Sequence, residues 1–245
     1  MKAVNTLSQP TIWVLLATYN GAKYLRQFLD SLLCSTDNSW VILAYDDCSG
    51  DGSVSILCEF ARQYPQHFQW ASIESEGQLG ASAAFSLLAQ CAIAIAGKED
   101  LFVFADQDDI WEKVKLERLR ITYERAVAEV GRVPLLLHSD LSVVDASGEY
   151  IASSLMVMQN TLYGDGAPKL PRLLVQNNIT GCASLVNLPL LKLACPVPDR
   201  AIMHDWWFGL VASLFGQVIY VPESLVRYRQ HSDNAIGAKS YTFKY

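Results

Sequence analysis

The sequence lacks several features that would assign it to particular classes of protein. Only 18% of its 245 residues are charged, and the formal net charge of −6 leaves no basic excess. Nucleic-acid binding normally needs a basic face, so we expect no nucleic acid among its partners. Its six scattered cysteines include no C-x-x-C pair, which favours reduced cytosolic thiols over a disulfide framework or a zinc site.

From the sequence we expect neither a signal peptide nor a membrane span. The first ten residues, MKAVNTLSQP, lack an apolar core, so a cytoplasmic protein is expected. Residues 77–97 and 206–222 contain no charged residue. The first stretch is rich in Ala, Ser and Gln, however, and Gly216-Gln217 interrupts the second. Both are predicted to be buried helices, the second followed by a strand. Peripheral contact with the inner face of a membrane stays open.

Hydrophobic residues make up 51% of the chain, enough for a sizeable core. Apolar runs alternate with amphipathic segments, which predicts an α/β fold with a mixed, mainly parallel sheet flanked by helices. The predicted strands cover 12–17, 40–45, 68–73, 101–105, 134–138, 180–186 and 217–221, and the predicted helices cover 22–34, 53–64, 81–96, 112–130 and 205–215.

We expect one domain over residues 1–245, without internal repeats. Residues 11–140, approximately, form a nucleotide-binding half, and about 141–234 form an acceptor-side half, followed by a tail at 235–245. The segment 145–171 contains Gly148, Gly164, Gly166, Pro168 and Pro171, which is typical of an insertion or a flexible region.

The most informative stretch is LFVFADQDDIW, residues 101–111. A wholly apolar run predicts a strand buried on both faces, and its carboxyl end is where open α/β sheets bind ligands. Asp106, Asp108 and Asp109 follow at once, and such close carboxylates repel each other unless a cation offsets them. Oxygen ligands favour Mg²⁺ or Mn²⁺, so the pattern indicates a metal site rather than a solvated acidic loop. Strand geometry would point Asp106 and Asp108 the same way, with Gln107 opposite.

Two more polar groups follow predicted strands. Thr18, Tyr19 and Asn20 come after the first strand, where an ordinary strand-to-helix turn competes with ligand binding. Asp46 and Asp47 come after the second, and a carboxylate there can accept a base N–H or a ribose hydroxyl. Nearby Ser49 and Asp51 are compatible with simple helix capping.

Asp205 opens an apolar helix, HDWWFGLVASLF, and is either a helix cap or a base that accepts a proton from a hydroxyl. Trp206 and Trp207 offer flat faces for sugar rings. His231 ends the run RYRQH, whose arginines are donors suited to phosphate, so a ligand role and a structural role are evenly matched.

These motifs resemble the inverting nucleotide-sugar glycosyltransferases of family 2, which have the GT-A fold. The resemblance covers about residues 11–234. It rests on ATYNG, YDDCSGD and FADQDDIW, followed by NNITGCASLVN, MHDWW and YRQHSDN in that order. DQDDIW and YRQHSDN look most like the bacterial rhamnosyltransferase branch, which implies dTDP-L-rhamnose as donor and a role in envelope polysaccharides such as O-antigen.

The resemblance implies a role for each matching residue. Asp205 matches the catalytic base, and Asp108, supported by Asp109, and His231 match the ligands of Mg²⁺ or Mn²⁺. The nucleotide-binding positions are Thr18, Tyr19, Asn20, Asp46, Asp47, Asp106 and Gln107, and the acceptor or sugar contacts are Trp111, Gly181, His204, Trp206 and Trp207. The chain departs from the family pattern at His204, where a Glu usually precedes the base, and at Ala84, where Asn is frequent.

The implied reaction moves a sugar from a nucleoside diphosphate sugar to a hydroxyl of a glycan or a lipid-linked oligosaccharide. A sugar-phosphate nucleotidyltransferase is disfavoured because ATYNGAKY lacks the glycine-rich, Arg-containing loop that would hold a triphosphate. A serine hydrolase is disfavoured because the residues before Ser82 are too polar for a buried strand. An inactive nucleotide- or carbohydrate-binding module remains an alternative.

Overall fold

The computed structural model of the chain describes residues 9–75, 77–161 and 169–232. Some predicted features fall outside these ranges: the first eight residues, Gly164, Gly166 and Pro168 of the irregular segment, the last two residues of YRQHSDN, and the tail at 235–245.

The first half alternates strands and helices, as predicted. Each apolar run forms a strand, and each amphipathic segment forms a helix whose apolar side faces the sheet. The elements are β1 (Ile12–Thr18), α1 (Ala22–Leu33), β2 (Trp40–Asp46), α2 (Ser53–Gln63), β3 (Phe68–Trp70), α3 (Ala81–Ile95) and β4 (Leu101–Ala105), with a 3-10 turn at Pro65–His67.

The second half contains more short elements than the sequence predicts. Its elements are β5 (Ile110–Trp111), α4 (Lys115–Val130), β6 (Leu135–Val144), β7 (Tyr150–Ala152), α5 (Leu155–Met158), α6 (Leu170–Leu173), β8 (Ser184–Asn187), α7 (Leu188–Ala194), α8 (His204–Phe215) and β9 (Gln217–Arg229), with a 3-10 turn at Gly181–Ala183.

Within the described residues, the strands form one sheet in the order β3-β2-β1-β4-β8-β6-β9-β5, with β7 paired to β6. The pairs among β1 to β4 are parallel, as is β6 with β9. β8 runs antiparallel to both β4 and β6. The sheet is therefore mixed and flanked by helices, which confirms the predicted fold class.

Side chains of alternate residues in β1 enter two separate cores. Ile12, Val14 and Leu16 pack on one face, towards α1, α2 and α4, and Trp13 and Leu15 pack on the other, towards α3, α7 and α8. This alternation follows from the two-residue period of a strand. The sheet is thus buried on both faces, and ligands have access at its strand ends.

Two strands extend well beyond their predicted ends. β6 continues to Val144 and β9 continues past Pro222 to Arg229. The register between them shifts from Ser139↔Val221 to Asp140↔Ser224, so Pro222 lies in an irregularity of the ladder. A proline there removes no ladder hydrogen bond, and it therefore does not end the strand.

The predicted strand at 180–186 is only partly correct. Residues Gly181–Ala183 form a 3-10 turn before β8, and the unpredicted helix α7 follows directly. The side chain of Asn187 accepts the Leu190 N–H as an N-cap, and Pro189 lies in the first turn of the helix.

No helix among the described residues is both long and apolar enough to cross a membrane. The two uncharged stretches form α3 and α8, the second followed by β9, as predicted. All six cysteines are free thiols.

The antiparallel pairing of β4 with β8 determines what lies beside the end of β4. The register runs from Leu101↔Asn187 to Val103↔Leu185. If it continues by three residues along each chain, Cys182 comes opposite Asp106. The Gly181–Ala183 turn is thereby brought next to the residues that leave β4.

Candidate active site

A cleft of about 1150 Å³ opens at the carboxyl ends of β1, β2 and β4. Most of the expected site residues line it: Thr18, Tyr19, Asn20, Asp47, Asp106, Gln107, Asp108, Gly181, His204, Asp205, Trp206 and His231. Asp46, Trp111 and Trp207 are not among its lining residues. The structure therefore brings residues about a hundred positions apart in the chain to one cavity.

On the nucleotide side, the carboxylate of Asp46 accepts the hydroxyls of Thr18 and Ser49, each at 2.7 Å. The side-chain oxygen of Asn20 accepts the Gly50 N–H at 2.8 Å. These bonds join the turns after β1 and β2. The side chains of Thr18 and Asp46 are thus hydrogen-bonded to each other, whereas the Tyr19 ring is exposed at the cleft.

Asp47 is buried, and both of its oxygens are occupied. Its carboxylate accepts the N–H groups of Leu79, at 2.7 Å, and Gly80, at 2.8 Å, at the start of α3. Gly80 has a φ of +80°, a conformation that glycine adopts readily. The first structural role of Asp47 is therefore to hold the turn before α3 against the cleft.

Gln107 also forms a bridge between backbone segments. Its carboxamide accepts the Tyr19 N–H at 3.0 Å and donates to the Tyr19 carbonyl at 2.8 Å. It packs so close to Gly21 that a Cβ there would lie 2.0 Å from the Gln107 side-chain oxygen. This contact explains the glycine and ties the turn after β1 to the turn after β4.

The carboxylates after β4 do not follow strand geometry, and that prediction is wrong. β4 ends at Ala105, and residues 106–109, called the acidic loop below, form a turn. Asp106 and Asp109 offer oxygens within 4.8 Å of each other and of the Cys182 sulfur. Asp108 instead lies 2.8 Å from Nε2 of His231. The three aspartates therefore form two groups.

The sequence pattern did not predict two buried basic side chains near the acidic loop, Arg229 and Lys115. Arg229 donates through Nε to the Asp108 carbonyl at 2.8 Å, and its backbone N–H donates to the Asp109 carboxylate at 3.2 Å. Lys115 has no exposed surface and donates to the Cys182 carbonyl at 2.5 Å. The RYRQH run was expected to donate to phosphate, but Arg229 binds the loop and Arg227 pairs with Glu112.

Burial is the largest influence on the pKa values of Asp106, Asp109 and Lys115. It raises the pKa of Asp106 to about 7, with repulsion from Asp108 and Asp205 in addition. It also raises the pKa of Asp109 well above the usual range, and Asp106 and Asp108 add to the effect. Burial lowers the pKa of Lys115 to about 7, while attraction to Asp109 and Asp106 opposes the change. Asp106 and Asp205 line the same cleft.

Asp108 and His231 fit a divalent cation. A carboxylate oxygen and an imidazole nitrogen lie 2.8 Å apart and both line the cleft. This donor set suits Mn²⁺ as well as Mg²⁺ supplemented by substrate oxygens. The group formed by Asp106, Asp109 and Cys182 has metal-like spacing too, and the Nζ of the buried Lys115 donates to the main-chain carbonyl of Cys182.

Asp205 lies in the first turn of α8, where three N–H donors reach its carboxylate. The donors are the backbone of Trp206 at 2.6 Å, the backbone of Gly181 at 3.0 Å and the side chain of Asn177 at 3.3 Å. Burial raises the pKa of Asp205 to about 6, and these bonds act in the opposite direction. The N-cap position belongs to Met203, so Asp205 is not the cap.

His204 and Gly181 pack against each other beside Asp205. The His204 ring is buried, tilted against Phe85 and Phe104 with centroids 4.4 and 4.9 Å apart. Neither ring nitrogen has a hydrogen-bond partner within the described residues, and burial lowers the pKa of His204 to about 3. A Cβ on Gly181 would lie 2.9 Å from His204 Nε2, so this close approach requires glycine.

The tryptophans have different surroundings. Trp206 lines the cleft, and its Nε1 donates to the Leu173 carbonyl at 2.5 Å. Trp111 is buried in the core, edge-on to Phe28, so its predicted role as a sugar contact is wrong. Trp207 packs against the core on the α8 side, and its Nε1 donates to Ala194, away from the cleft. Ala84, where Asn was expected, is a buried residue of the cleft wall.

Comparison with known proteins decides the family. The sequence model described as Glycosyl transferase family 2 matches residues 13–133. An uncharacterized glycosyltransferase of Nostoc sp. is 30% identical over 241 residues, which cover 94% of this chain and 68% of that protein. The chain belongs to glycosyltransferase family 2. A dTDP-rhamnosyl transferase of Shigella flexneri, RfbG, is 31% identical over a shorter stretch, 42% of this chain and 34% of that protein.

Solved structures support the same fold for this family 2 glycosyltransferase chain. TarS 1-349 of S. aureus, in complex with UDP-GlcNAc, gives a TM-score of 0.63 at 17% identity over 91% of this chain and 60% of that one. The mannosyltransferase PcManGT from Pyrobaculum calidifontis, in complex with GDP-Man and Mn²⁺, gives 0.60 at 16% identity, over 87% and 55%. The fold is of the GT-A type, and the chain spans 60% or less of both solved chains.

Proposed function

We propose that the chain transfers a sugar from a nucleoside diphosphate sugar to an acceptor hydroxyl, with inversion at the anomeric carbon. One observation carries the proposal: Asp205 and the Asp108–His231 pair face the same cleft. A base and a site for the leaving diphosphate are the two parts that such a transfer needs.

The nucleotide would lie on the side of the cleft built from the turns after β1, β2 and β4. The exposed Tyr19 ring offers a face for the base, and the turns that hold Thr18, Asp46 and Asp47 are cross-linked by hydrogen bonds before any ligand arrives. A site that is ordered in advance loses less entropy on binding. This organisation supports the assignment of Thr18, Tyr19, Asn20, Asp47, Asp106 and Gln107 to the nucleotide side.

Asp108 and His231 would hold the divalent cation, Mg²⁺ or Mn²⁺. When bound, such a cation neutralises negative charge on the diphosphate as the glycosidic bond breaks. PcManGT, which has a similar fold, is in complex with GDP-Man and Mn²⁺, and this supports a divalent cation in a cleft of this kind.

Asp205 would accept the proton of the attacking hydroxyl. Its pKa of about 6 leaves most of it ionised at neutral pH, yet close enough to the working pH for efficient proton transfer. A single carboxylate acting as base suits direct displacement on the face opposite the leaving group, which inverts the anomeric centre. Trp206 lies next to the base at the cleft and is the aromatic surface proposed for the acceptor.

For the donor we propose dTDP-L-rhamnose, supported by the DQDDIW motif and by the similarity to the dTDP-rhamnosyl transferase RfbG. The acceptor is proposed to be a hydroxyl of a glycan or of a lipid-linked oligosaccharide.

A panel of nucleotide sugars tests the proposal. Donor hydrolysis is measured for dTDP-, UDP- and GDP-sugars with Mn²⁺, with Mg²⁺ and with EDTA, and dTDP and UDP binding is measured by calorimetry with and without Mn²⁺. We expect metal-dependent binding of a nucleoside diphosphate and metal-dependent hydrolysis of dTDP-rhamnose. Binding that is identical in Mn²⁺ and in EDTA, without hydrolysis of any donor, would show a binding module instead.

A further inference from the structure

Lys23 is the only lysine or arginine among the described residues that line the cleft. It is exposed and lies in the first turn of α1. The carboxylates that line the same cleft are those of Asp47, Asp106, Asp108 and Asp205. A nucleoside diphosphate would bring further negative charge, and like charges repel, so an anionic ligand needs positive charge here. Lys23 is the basic side chain that the cleft wall itself offers.

The basic side chains near the acidic loop are already bound to other parts of the protein. Arg229 donates through Nε to the Asp108 carbonyl at 2.8 Å and through Nη2 to the Gln27 carboxamide at 2.6 Å. Lys115 donates to a main-chain carbonyl, and neither side chain lines the cleft. Lys23, by contrast, has no carboxylate partner within the described residues, and its ammonium contacts only an aromatic ring. It is therefore available to an anion that enters the cleft.

The backbone of the turn after β1 offers little to a phosphate. Free N–H groups at the start of a helix often bind phosphate. Here the N–H groups of residues 19–22 donate, at 2.8–3.0 Å, to the side chains of Gln107, Ser49, Ser53 and Asp51, in that order. The donors for a phosphate at this turn must therefore come from a side chain.

The ring of Tyr24 connects Lys23 with the proposed metal site. Lys23 Nζ lies over this ring, 4.8 Å from its centroid, and the His231 imidazole lies against the same ring with centroids 4.9 Å apart. Nε2 of His231 is in turn 2.8 Å from the Asp108 carboxylate. Tyr24 is buried and lines the cleft, and a cation–π contact restrains the flexible lysine above it. The ammonium and the Asp108–His231 pair are thus neighbours on one wall.

We propose that Lys23 binds the diphosphate of the donor, with its ammonium donating to phosphate oxygens close to the Asp108–His231 pair. A lysine ammonium is a compact charge with three N–H donors, which suits a phosphate group that can approach from several directions. The inference rests on the proposed function, since it takes a nucleoside diphosphate sugar as the ligand.

Calorimetric titration with dTDP, UDP and GDP in the presence of Mn²⁺ tests the proposal. Lys23→Met removes the ammonium and keeps the apolar stem. For the nucleotide that wild type binds most tightly, we expect its Kd to rise about 10- to 100-fold, because a charge-assisted hydrogen bond is lost. Lys113→Met removes the same charge from an exposed lysine outside the cleft and should bind like wild type. A Kd of Lys23→Met within about threefold of wild type would refute the proposal.

A conservative variant separates the charge of Lys23 from a structural role. Lys23→Arg restores a cation with N–H donors at the same position, so it should recover most of the affinity that Lys23→Met loses. Since Lys23 is exposed, the thermal midpoint of Lys23→Met should equal that of wild type. The proposal is overturned if Lys23→Arg binds as weakly as Lys23→Met, or if Lys113→Met loses as much affinity as Lys23→Met.

The same titrations distinguish failure of this inference from failure of the proposed function. A wild-type protein that binds a nucleoside diphosphate and hydrolyses its sugar, with Lys23→Met unchanged, would refute this inference alone. A protein that binds the nucleotide through Lys23 but hydrolyses no donor would refute the transferase and leave the inference standing. Absence of binding to all three nucleotides would refute both.

Discussion

The cleft contains two sets of carboxylates whose negative charge is stabilised in different ways. Asp205 is surrounded by N–H donors from Gly181, Trp206 and Asn177. In the acidic loop, the Asp108 carbonyl accepts the Nε–H of Arg229, and the Asp108 carboxylate pairs with His231. The residue type is the same on both sides, but its neighbours differ.

This difference supports different proposed roles for the two sets. N–H donors stabilise a single carboxylate anion while leaving it able to take a proton, which suits a base. Grouped carboxylates repel each other and are stable only with positive charge nearby, which suits a site for a cation and an anionic leaving group. The contrast can be tested by substituting a carboxylate of one set at a time.

The largest effect is expected from Asp205→Asn. The amide keeps the shape of the side chain but cannot accept a proton, so kcat should fall by about 10²–10⁴-fold. Binding of dTDP or UDP with Mn²⁺, measured by calorimetry, should stay at the wild-type level, since the nucleotide side is untouched. Asp199→Asn, an exposed carboxylate in the loop before α8, is the control. A kcat within threefold of wild type, about 0.7 kcal/mol of barrier, would remove Asp205 from the reaction.

Asp108→Ala is expected to weaken metal-dependent nucleotide binding, and this effect should be smaller than the fall in kcat of Asp205→Asn. Loss of an outer-shell partner typically lowers metal affinity by about 10- to 100-fold. Removal of a direct metal ligand should weaken Mn²⁺-dependent nucleotide binding by at least this factor. Titration of Mn²⁺ in the presence of dTDP measures this change, with Asp30→Ala on the exposed side of α1 as control. Unchanged Mn²⁺ affinity together with full activity in EDTA would exclude the metal site assigned to Asp108 and His231.

The smallest expected effect is a pH dependence of kcat/KM, which tests the proposed role of Asp205. Its pKa is raised to about 6, so below that pH the carboxyl is protonated and cannot accept a proton. kcat/KM should therefore fall about tenfold for each pH unit below this value and level off above it. A profile measured at saturating Mn²⁺ that stays flat well below pH 6 would show that another group limits the reaction.

Much of the fold was predictable because burial leaves a clear pattern in the sequence. The apolar runs of β1, β2 and β4 and the amphipathic α1 define the first half almost to the residue. The position of the acidic residues directly after β4 also predicts that they reach the carboxyl edge of the sheet, where the cleft lies.

The details of the site were not predictable, because they depend on contacts distant in sequence. The burial of Lys115 follows from the pairing of β4 with β8, which brings the Cys182 carbonyl towards it. Similarly, Trp111 and Trp206 are both tryptophans beside acidic residues, yet one enters the core and the other the cleft. Periodicity in short segments does not distinguish these cases.

The second half was harder to predict, since its longest strand pair contains irregularities. β6 and β9 run side by side through two register shifts, and buried polar residues such as Asp140 are satisfied by local donors, including the Leu141 N–H at 2.8 Å. A proline and several polar residues there look like the end of a strand to any method based on local pattern.

The antiparallel ladder between β4 and β8 has a consequence for how new specificities arise on this scaffold. It anchors the Gly181–Ala183 turn beside the acidic loop in main-chain pairing, whereas residues 155–161 and 175–176 line another wall of the cleft from short helices and loops. Exchange of those two stretches between homologues should transplant a preference for one sugar or acceptor without altering Asp205 or the acidic loop.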